Sequence, residues 1–183
     1  MLEKSNKIFL TGFMTCGKST LGPILANMLG WNFYDLDKEI VEREKATVVE
    51  IFKTKGEEYF RNFESNLLKE ISEEPKIVVS LGGGTIINNK NLNFVKESGL
   101  LVYLRVSSEI LFQRLKNKTD RPLLRDIVLS DNKEIKLKEK IEKLLNEREP
   151  YYLNADLVFE ADDRRLGLTA DALYKKILRY VNE

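Results

Sequence analysis

The sequence predicts an α/β fold, a three-layer α/β/α sandwich around a mostly parallel sheet of five strands. Short apolar runs alternate with segments of helical periodicity along the 183 residues, of which 43% are hydrophobic. Five of the apolar runs have the character of strands, and helical segments separate them. Because such strands pair in parallel and are covered by helices on both faces, we expect one domain spanning residues 1–183.

The first half of the chain predicts two strands and three helices. The strands are KIFLTG and WNFYDLD, and the first two helices run from Lys18 to Leu29, closed by Gly30, and from Lys38 onward. A third helix is predicted for GEEYFRNFESNLLKEI, whose apolar residues recur at helical spacing and which stops before Pro75.

The second half predicts three strands and four helices. The strands are KIVVSLGGG, LLVYLRV and ADLVFE, and the first two helices are NNKNLNFVKESG and SSEILFQRLKNK. The stretch KTDRPLLRD interrupts the helical pattern. A charged amphipathic helix follows it to about Arg148, and a terminal helix is opened by Thr169.

Composition and charge exclude several classes of function. Lys and Arg number 30 against 29 Asp and Glu, so the net charge of +1 favours neither nucleic acid nor a membrane surface as partner. The chain has no histidine, which excludes a histidine base, a Ser-His triad and a histidine-ligated metal. Cys16 is the only cysteine, so there is no internal disulfide. With neither a signal-peptide core nor a membrane-spanning run, we expect a cytoplasmic protein.

The loop after the first strand contains the most specific single motif. Residues 12–19, GFMTCGKS, match G-x-x-x-x-G-K-[ST] between a buried strand and a helix, the context of a phosphate-binding P-loop. Backbone N–H groups of such a loop wrap a polyphosphate, Lys18 reaches the β and γ phosphates, and Ser19 ligates Mg²⁺. We expect Cys16 to be a small loop residue rather than a nucleophile. The alternative is a glycine turn that caps an ordinary helix.

Two aspartates at the end of the second strand are candidates for acting on the acceptor. Asp35 and Asp37 are two residues apart, so on an extended chain their side chains point to one face, at the rim that also holds the P-loop. In this hypothesis one carboxylate holds Mg²⁺ through water, while the other takes a hydrogen bond or a proton from an acceptor hydroxyl. The alternative is that Asp37 merely caps the next helix.

Three further features belong to the same rim. LGGGT, residues 81–85, follows the third strand and offers unshielded backbone N–H groups to a substrate. Arg61 and Glu64 stand at i, i+3 on a helix, where the glutamate orients the guanidinium or the two form an ordinary surface ion pair. Arg121 and Arg125 lie in an irregular segment typical of a lid that stabilises transferred charge, with solvated surface arginines as the alternative.

Taken together, these motifs resemble those of the shikimate kinase family. GFMTCGKST, YDLD, FRNFE, LGGGT, RPLL and REPYY follow one another from Gly12 to Tyr152, so the resemblance covers nearly the whole chain. It implies a P-loop kinase fold with a mobile lid at about 116–132 and a shikimate-binding segment at about 35–64. The implied activity is phosphorylation of the shikimate 3-hydroxyl with ATP and Mg²⁺, in chorismate and aromatic amino-acid biosynthesis, by a monomer.

The resemblance also implies roles for individual residues. Asp37 binds the substrate hydroxyls and is the catalytic base, while Lys18 and Arg121 stabilise the transferring phosphoryl group. The implied metal ligands are Ser19 and Asp35. The implied shikimate site consists of Asp37, Arg61, Gly82, Gly83, Gly84 and Arg148. The implied nucleotide site consists of Gly12, Thr15, Cys16, Gly17, Lys18, Ser19, Thr20, Arg114 and Arg121, with Arg114 near the adenine.

The chain departs from the family pattern at three places. Thr15 stands where the family usually has glycine, and Tyr151 stands where leucine is usual. The segment between RPLL and Arg148 is also longer than is usual, which implies an extended lid.

Two other functions remain as alternatives. A gluconate kinase would share the P-loop, but the triple glycine together with Arg61 and Arg148 argues against it. A nucleotide-binding module without turnover would be expected to lack Asp37, Lys18 or Arg121, and all three are present.

Overall fold

Five strands form one sheet in the part of the chain that the computed structural model describes, residues 6–116, 132–161 and 165–182. They are β1 (Lys7–Thr11), β2 (Asn32–Asp35), β3 (Ile77–Ser80), β4 (Leu100–Arg105) and β5 (Leu157–Glu160). Their order across the sheet is β2-β3-β1-β4-β5, and every neighbouring pair is parallel. The predicted α/β class and its five-stranded parallel sheet are confirmed.

Seven helices flank the sheet within the same ranges. They are α1 (Lys18–Leu29), α2 (Leu36–Glu44), α3 (Val48–Ile71), α4 (Asn89–Ser98), α5 (Ser108–Leu115), α6 (Lys133–Tyr152) and α7 (Leu166–Asn182), with a short 3₁₀ turn at Thr85–Ile87. Helix α1 packs on β1, β2 and β3 and against α7, whereas α4 packs on β4 and α5 packs against α6. Each connection between parallel strands therefore contains at least one helix, as a crossover of this type requires.

The central strands are buried on both faces. Phe9 and Leu10 in β1, Val78 in β3, and Leu101 and Val102 in β4 have no solvent exposure. Continuous apolar runs of this kind suit a parallel sheet covered by helices, and burying each such side chain stabilises the fold by about 1.5–3 kcal/mol. This core fixes β1 between β3 and β4, and with it the start of the loop that follows β1.

The third helix begins earlier than the apolar periodicity predicts. Helix α3 starts at Val48, after a capping box in which Thr47 and Glu50 each bond the other's backbone N–H. The predicted start at Gly56 is instead a break inside α3, where φ is 86° and ψ is 167°. Glycine permits this positive φ. Gly56 therefore marks a kink inside α3 and not the start of the helix.

The last two helices also differ from their predicted limits. Helix α6 continues past Arg148 to Tyr152, and α7 begins at Leu166 rather than at Thr169. The Thr169 hydroxyl donates to the carbonyl of Arg165 at 3.4 Å, four residues earlier in the chain. A threonine that bonds backward in this way is not an N-cap, and the two uses look alike in a sequence.

The carboxyl ends of β2, β3 and β1 lie side by side along one edge of the sheet. Residues 12–19 follow β1, Asp37 comes just after β2, and residues 82–84 follow β3. Edges of this kind bind ligands in α/β folds, and here the topology brings the three sequence motifs together.

The predicted lid, about 116–132, falls mainly on residues that the structure does not describe. Arg121 and Arg125 lie there as well, outside the described residues. Among the helices of the described ranges, none is both long enough and apolar enough to cross a bilayer.

Candidate active site

A cleft of 520 Å³ opens at the edge where β1, β2 and β3 end. Its walls come from the P-loop, the ends of β2 and β3, helix α5 and the start of α7. The lining residues are Met14, Thr15, Cys16, Gly17, Lys18, Ser19, Thr20, Leu21, Asp35, Asp37, Ser80, Leu81, Gly83, Arg114, Ala161, Leu166 and Thr169. Most of the residues predicted for the nucleotide and both aspartates therefore share one cavity.

The P-loop has the backbone conformation that its glycines allow. Gly12 has φ of 139° and Gly17, which precedes α1, has φ of 114°. A Cβ on Gly12 would lie 2.7 Å from the Leu104 carbonyl oxygen, so both the left-handed φ and the close approach require glycine. The loop ends at the amino terminus of α1, where free N–H groups and the helix dipole favour an anion.

Thr15 has a left-handed backbone conformation, which glycine adopts more easily than threonine. Its φ is 62°, and its carbonyl accepts a hydrogen bond from Arg114 Nη1 at 3.1 Å. The Thr15 hydroxyl is buried and finds no hydrogen-bond partner in the described part of the chain. A left-handed threonine costs about 1–2 kcal/mol, so the backbone of this loop is strained at Thr15.

Lys18 opens α1 and turns its amine back into the loop. Nζ donates to the carbonyl oxygens of Gly12 at 2.8 Å and Phe13 at 3.1 Å, and the side chain is buried. Cys16 Sγ lies 3.7 Å from the same amine. Because an ammonium group interacts more strongly with a negatively charged phosphate oxygen than with a neutral carbonyl oxygen, the amine is placed to exchange these partners for a polyphosphate.

The two aspartates reach the cleft by a different route from the one predicted. Strand β2 ends at Asp35, which caps α2 by accepting a hydrogen bond from the Lys38 N–H at 3.3 Å. Asp37 lies in the first helical turn, so the prediction that both side chains share one face of an extended chain is wrong, and α2 starts at Leu36 instead of Lys38. The alternative that Asp37 is the cap is wrong as well. Both carboxylates nevertheless line the cleft.

Arg61 and Glu64 form a partly buried ion pair on α3. Arg61 Nη1 lies 2.9 Å from Glu64 Oε2, and the Glu64 side chain has no solvent exposure. The other carboxylate oxygen accepts a hydrogen bond from the Thr85 hydroxyl at 2.6 Å. Burial raises the pKa of the Glu64 carboxyl, while Arg61 and Thr85 act against that effect. A carboxylate fixed on two sides orients the guanidinium, which an ordinary surface pair does not do.

The triple glycine is explained by close contacts with charged groups. A Cβ on Gly82 would lie 2.8 Å from Asp37 Oδ1 and 2.9 Å from Glu64 Oε1, and one on Gly84 would lie 2.9 Å from Arg61 Nη2. Both glycines therefore allow side chains of the site to pack on the main chain. Neither has a left-handed φ, so space and not conformation requires glycine here.

Helix α6 reaches the same glycines from the other side. Arg148 Nη1 donates to the Gly83 carbonyl at 3.4 Å, and the Tyr152 hydroxyl donates to that carbonyl at 2.6 Å. Arg61 and Arg148 therefore flank adjacent glycines. Sequence reasoning missed Tyr152, although its position four residues after Arg148 places both on one helix face.

The donor set fits Mg²⁺ bound together with phosphate. Ser19 and Asp35 line the cleft, and the first is exposed while the second is buried. Within the described ranges, no group of three or more histidine, cysteine, aspartate or glutamate residues is arranged to hold a metal ion. Mg²⁺ commonly takes one or two protein oxygens and completes its shell with phosphates and water, so two oxygens suffice.

One wall of the cleft has no counterpart in the sequence motifs. It is formed by Ala161, after β5, and by Leu166 and Thr169 of α7. These residues have no composition or spacing that indicates a ligand, and only the fold brings them to the P-loop.

Comparisons with known proteins agree by sequence and by structure. A family model for shikimate kinase matches residues 14–181. A shikimate kinase from Chloroherpeton thalassium is 45% identical, covering 98% of this chain and 96% of its own. A solved shikimate kinase from Bacteroides thetaiotaomicron gives a TM-score of 0.86 at 35% identity, covering 94% of this chain and 98% of its own. A solved shikimate kinase from Acinetobacter baumannii, in complex with shikimate, gives a TM-score of 0.83 at 35% identity, covering 98% of this chain and 94% of its own. The chain therefore belongs to the shikimate kinase family.

Proposed function

We propose that this protein transfers the γ-phosphoryl group of ATP to the 3-hydroxyl of shikimate, forming shikimate 3-phosphate and ADP in chorismate and aromatic amino-acid biosynthesis. As a member of the shikimate kinase family, the chain is a transferase that uses ATP with Mg²⁺. The position of Asp37 carries the proposal. Its side chain lines the P-loop cleft and also lies against Gly82, next to Glu64 of the Arg61 ion pair. Asp37 therefore joins a phosphate site to a site for a carboxylate.

The nucleotide half of the site consists of the P-loop, α1 and α5. Backbone N–H groups of residues 12–19 and the amino terminus of α1 bind phosphate oxygens. Lys18 supplies a positive charge that offsets the charge developing on the transferred group. Arg114, bonded to the Thr15 carbonyl, borders the same cleft and is placed to lie near the adenine.

Mg²⁺ belongs in the cleft between these groups. When bound, Mg²⁺ would supply positive charge that offsets part of the negative charge of the nucleotide phosphates. Ser19 and Asp35 are the protein oxygens that we assign to it, directly or through water.

The acceptor half suits a small molecule with one carboxylate and several hydroxyls. Arg61 and Arg148 offer two guanidinium groups, and a guanidinium matches a carboxylate through paired hydrogen bonds. The exposed main chain of residues 82–84 and the Asp37 carboxylate suit hydroxyl groups. Shikimate has one carboxylate and several hydroxyls, and the solved shikimate kinase from Acinetobacter baumannii is in complex with shikimate.

The reaction depends mainly on alignment and on neutralising charge. In our proposal Asp37 accepts the hydrogen bond, and then the proton, of the attacking hydroxyl, while the P-loop holds the phosphoryl group in line. Arg121 is also assigned to stabilise the charge of the transferring phosphoryl group. This role comes from the family resemblance only, because Arg121 lies outside the described residues. We also propose that the protein is cytoplasmic, that it acts as a monomer and that it needs no nucleic acid. Light scattering with purified protein tests the monomeric state.

The test is release of ADP from ATP and Mg²⁺ with shikimate, gluconate or a nucleoside monophosphate as separate acceptors. We expect release only with shikimate, and phosphorus NMR to locate the new phosphate on the 3-hydroxyl. Release with gluconate or a nucleotide instead would contradict the acceptor assignment and preserve the P-loop chemistry. ATP binding without release for any acceptor would favour an inactive nucleotide-binding module.

A further inference from the structure

We propose that Tyr152 is a positioning residue for the acceptor, whose hydroxyl holds the Gly83 carbonyl so that Arg148 is free to bind the acceptor carboxylate. The inference rests on the proposed function, because it concerns the same pocket. Tyr152 acts through Gly83 and Arg148 and does not itself contact the substrate.

The geometry places two donors on one acceptor. Tyr152 Oη lies 2.6 Å from the Gly83 carbonyl oxygen, and Arg148 Nη1 lies 3.4 Å from it. The two side chains stand one helical turn apart on α6, so they reach the glycine from the same face. The short bond belongs to the tyrosine, and the arginine is held at the outer limit of a hydrogen bond.

This difference in distance matters for a ligand that recruits the arginine. An acceptor carboxylate draws Arg148 away from Gly83, and a partly buried carbonyl left without a donor is unfavourable. With Tyr152 in place the carbonyl keeps its donor, and Arg148 moves at little cost. Without the Tyr152 hydroxyl, the guanidinium is the side-chain donor left to Gly83, and substrate must compete for it.

The surroundings of Tyr152 keep the hydroxyl in this role. The side chain has no solvent exposure, and its ring lies 5.2 Å from that of Tyr103. Burial raises the pKa of Tyr152 to about 12, although Arg148 acts to lower it, so the hydroxyl stays protonated and remains a donor near neutral pH.

Tyr103 provides a matched control within the same cluster. It is equally buried, but its hydroxyl donates to Glu149 Oε1 at 3.3 Å and not to the glycines. Tyr152→Phe and Tyr103→Phe thus delete the same group from neighbouring rings, and only the first reaches the acceptor pocket.

The experiment measures kcat and both KM values of the two variants and of the wild type. Loss of one neutral hydrogen bond predicts an increase of about three- to tenfold in the shikimate KM of Tyr152→Phe, with the ATP KM and kcat within about twofold. Tyr103→Phe is expected to leave the shikimate KM unchanged. If Tyr152→Phe does not fold, Tyr152→Met, which fills the space with an apolar chain, replaces it.

A double-mutant cycle separates positioning from packing. In an Arg148→Ala background, Tyr152→Phe is expected to add little to the shikimate KM, because the residue through which it acts is gone. An additive effect, an unchanged shikimate KM, or the same increase in Tyr103→Phe would overturn the proposal for Tyr152 alone. A wild type without shikimate-dependent ADP release would overturn the proposed function and this inference together.

Discussion

The Asp37 carboxylate packs directly on Gly82, with Oδ1 only 2.8 Å from the place where a Cβ on Gly82 would stand. That Cβ would also lie 2.9 Å from Glu64 Oε1 and 3.0 Å from the Thr85 hydroxyl. Any side chain at position 82 therefore displaces the proposed base or the carboxylate that orients Arg61.

Gly82→Ala is expected to lower kcat by about a hundredfold, since displacing a reacting group by about 1 Å is enough for such a loss. Steady-state kinetics with saturating ATP and shikimate measure this. Gly167→Ala is the control, because a Cβ there meets nothing within 4 Å and alanine suits a helix. Equal activities for the two alanine variants would remove the packing argument.

Arg61→Ala is expected to raise the shikimate KM by about ten- to a hundredfold, because a charge-assisted bond is worth roughly 1.5–3 kcal/mol. The ATP KM is expected to stay within about twofold. Arg43→Ala deletes another arginine–glutamate pair, with Glu70 at 2.7 Å, but both partners are exposed and neither lines the cleft. If Arg61→Ala behaves like Arg43→Ala, Arg61 belongs to a structural pair only.

Thr15→Gly is expected to raise the free energy of unfolding by about 0.5–1 kcal/mol. Relief of a left-handed threonine, about 1–2 kcal/mol, exceeds the greater flexibility that glycine gives the unfolded chain. Denaturant unfolding measures the change. Thr15→Ala, which deletes the buried hydroxyl but keeps a Cβ at φ of 62°, separates the two causes. A destabilised Thr15→Gly would show that the threonine side chain supports the loop.

The raised pKa of Tyr152 predicts a loss of stability in alkaline solution. Below pH 10 the Tyr152 hydroxyl is protonated in both the folded and the unfolded chain. Between pH 10 and about 12 the unfolded chain loses this proton, while the folded chain keeps it. The free energy of unfolding therefore falls across that pH range, and the free energy of unfolding of Tyr152→Phe is expected to fall less steeply. Urea unfolding at several pH values compares the two slopes, and identical slopes would contradict a buried, protonated Tyr152.

Most of the architecture was predictable because short apolar runs alternating with helical periodicity, and the spacing of the P-loop motif, are local signals. The strand order was not predicted, but it places residues 12–19, Asp37 and residues 82–84 at one edge of the sheet, as the motifs indicated. Helix limits were less predictable. Gly56 marks a kink inside α3, and Thr169 bonds backward within its helix, because glycine and threonine serve more than one local purpose.

The candidate site was predictable where residues close in sequence determine the contact. It was not predictable where the fold brings together segments that are distant in sequence. Arg61 and Glu64 are one helical turn apart, so their pairing follows from sequence. The wall that includes Ala161 and Leu166, and the bond from Tyr152 to Gly83, join distant segments, which no local pattern encodes. The capping role of Asp35 was missed because the strand ends earlier than its apolar run suggests.

The most direct test of the central claim is the turnover of Asp37→Asn at saturating ATP and shikimate, measured with the affinity for ATP. Asparagine keeps the shape of the side chain and its place beside Gly82, but it cannot accept a proton. We expect ATP affinity within about twofold of the wild type and a loss in kcat of about a hundredfold or more. An Asp37→Asn variant with wild-type turnover would contradict the claim that Asp37 joins the two halves of the site as the base.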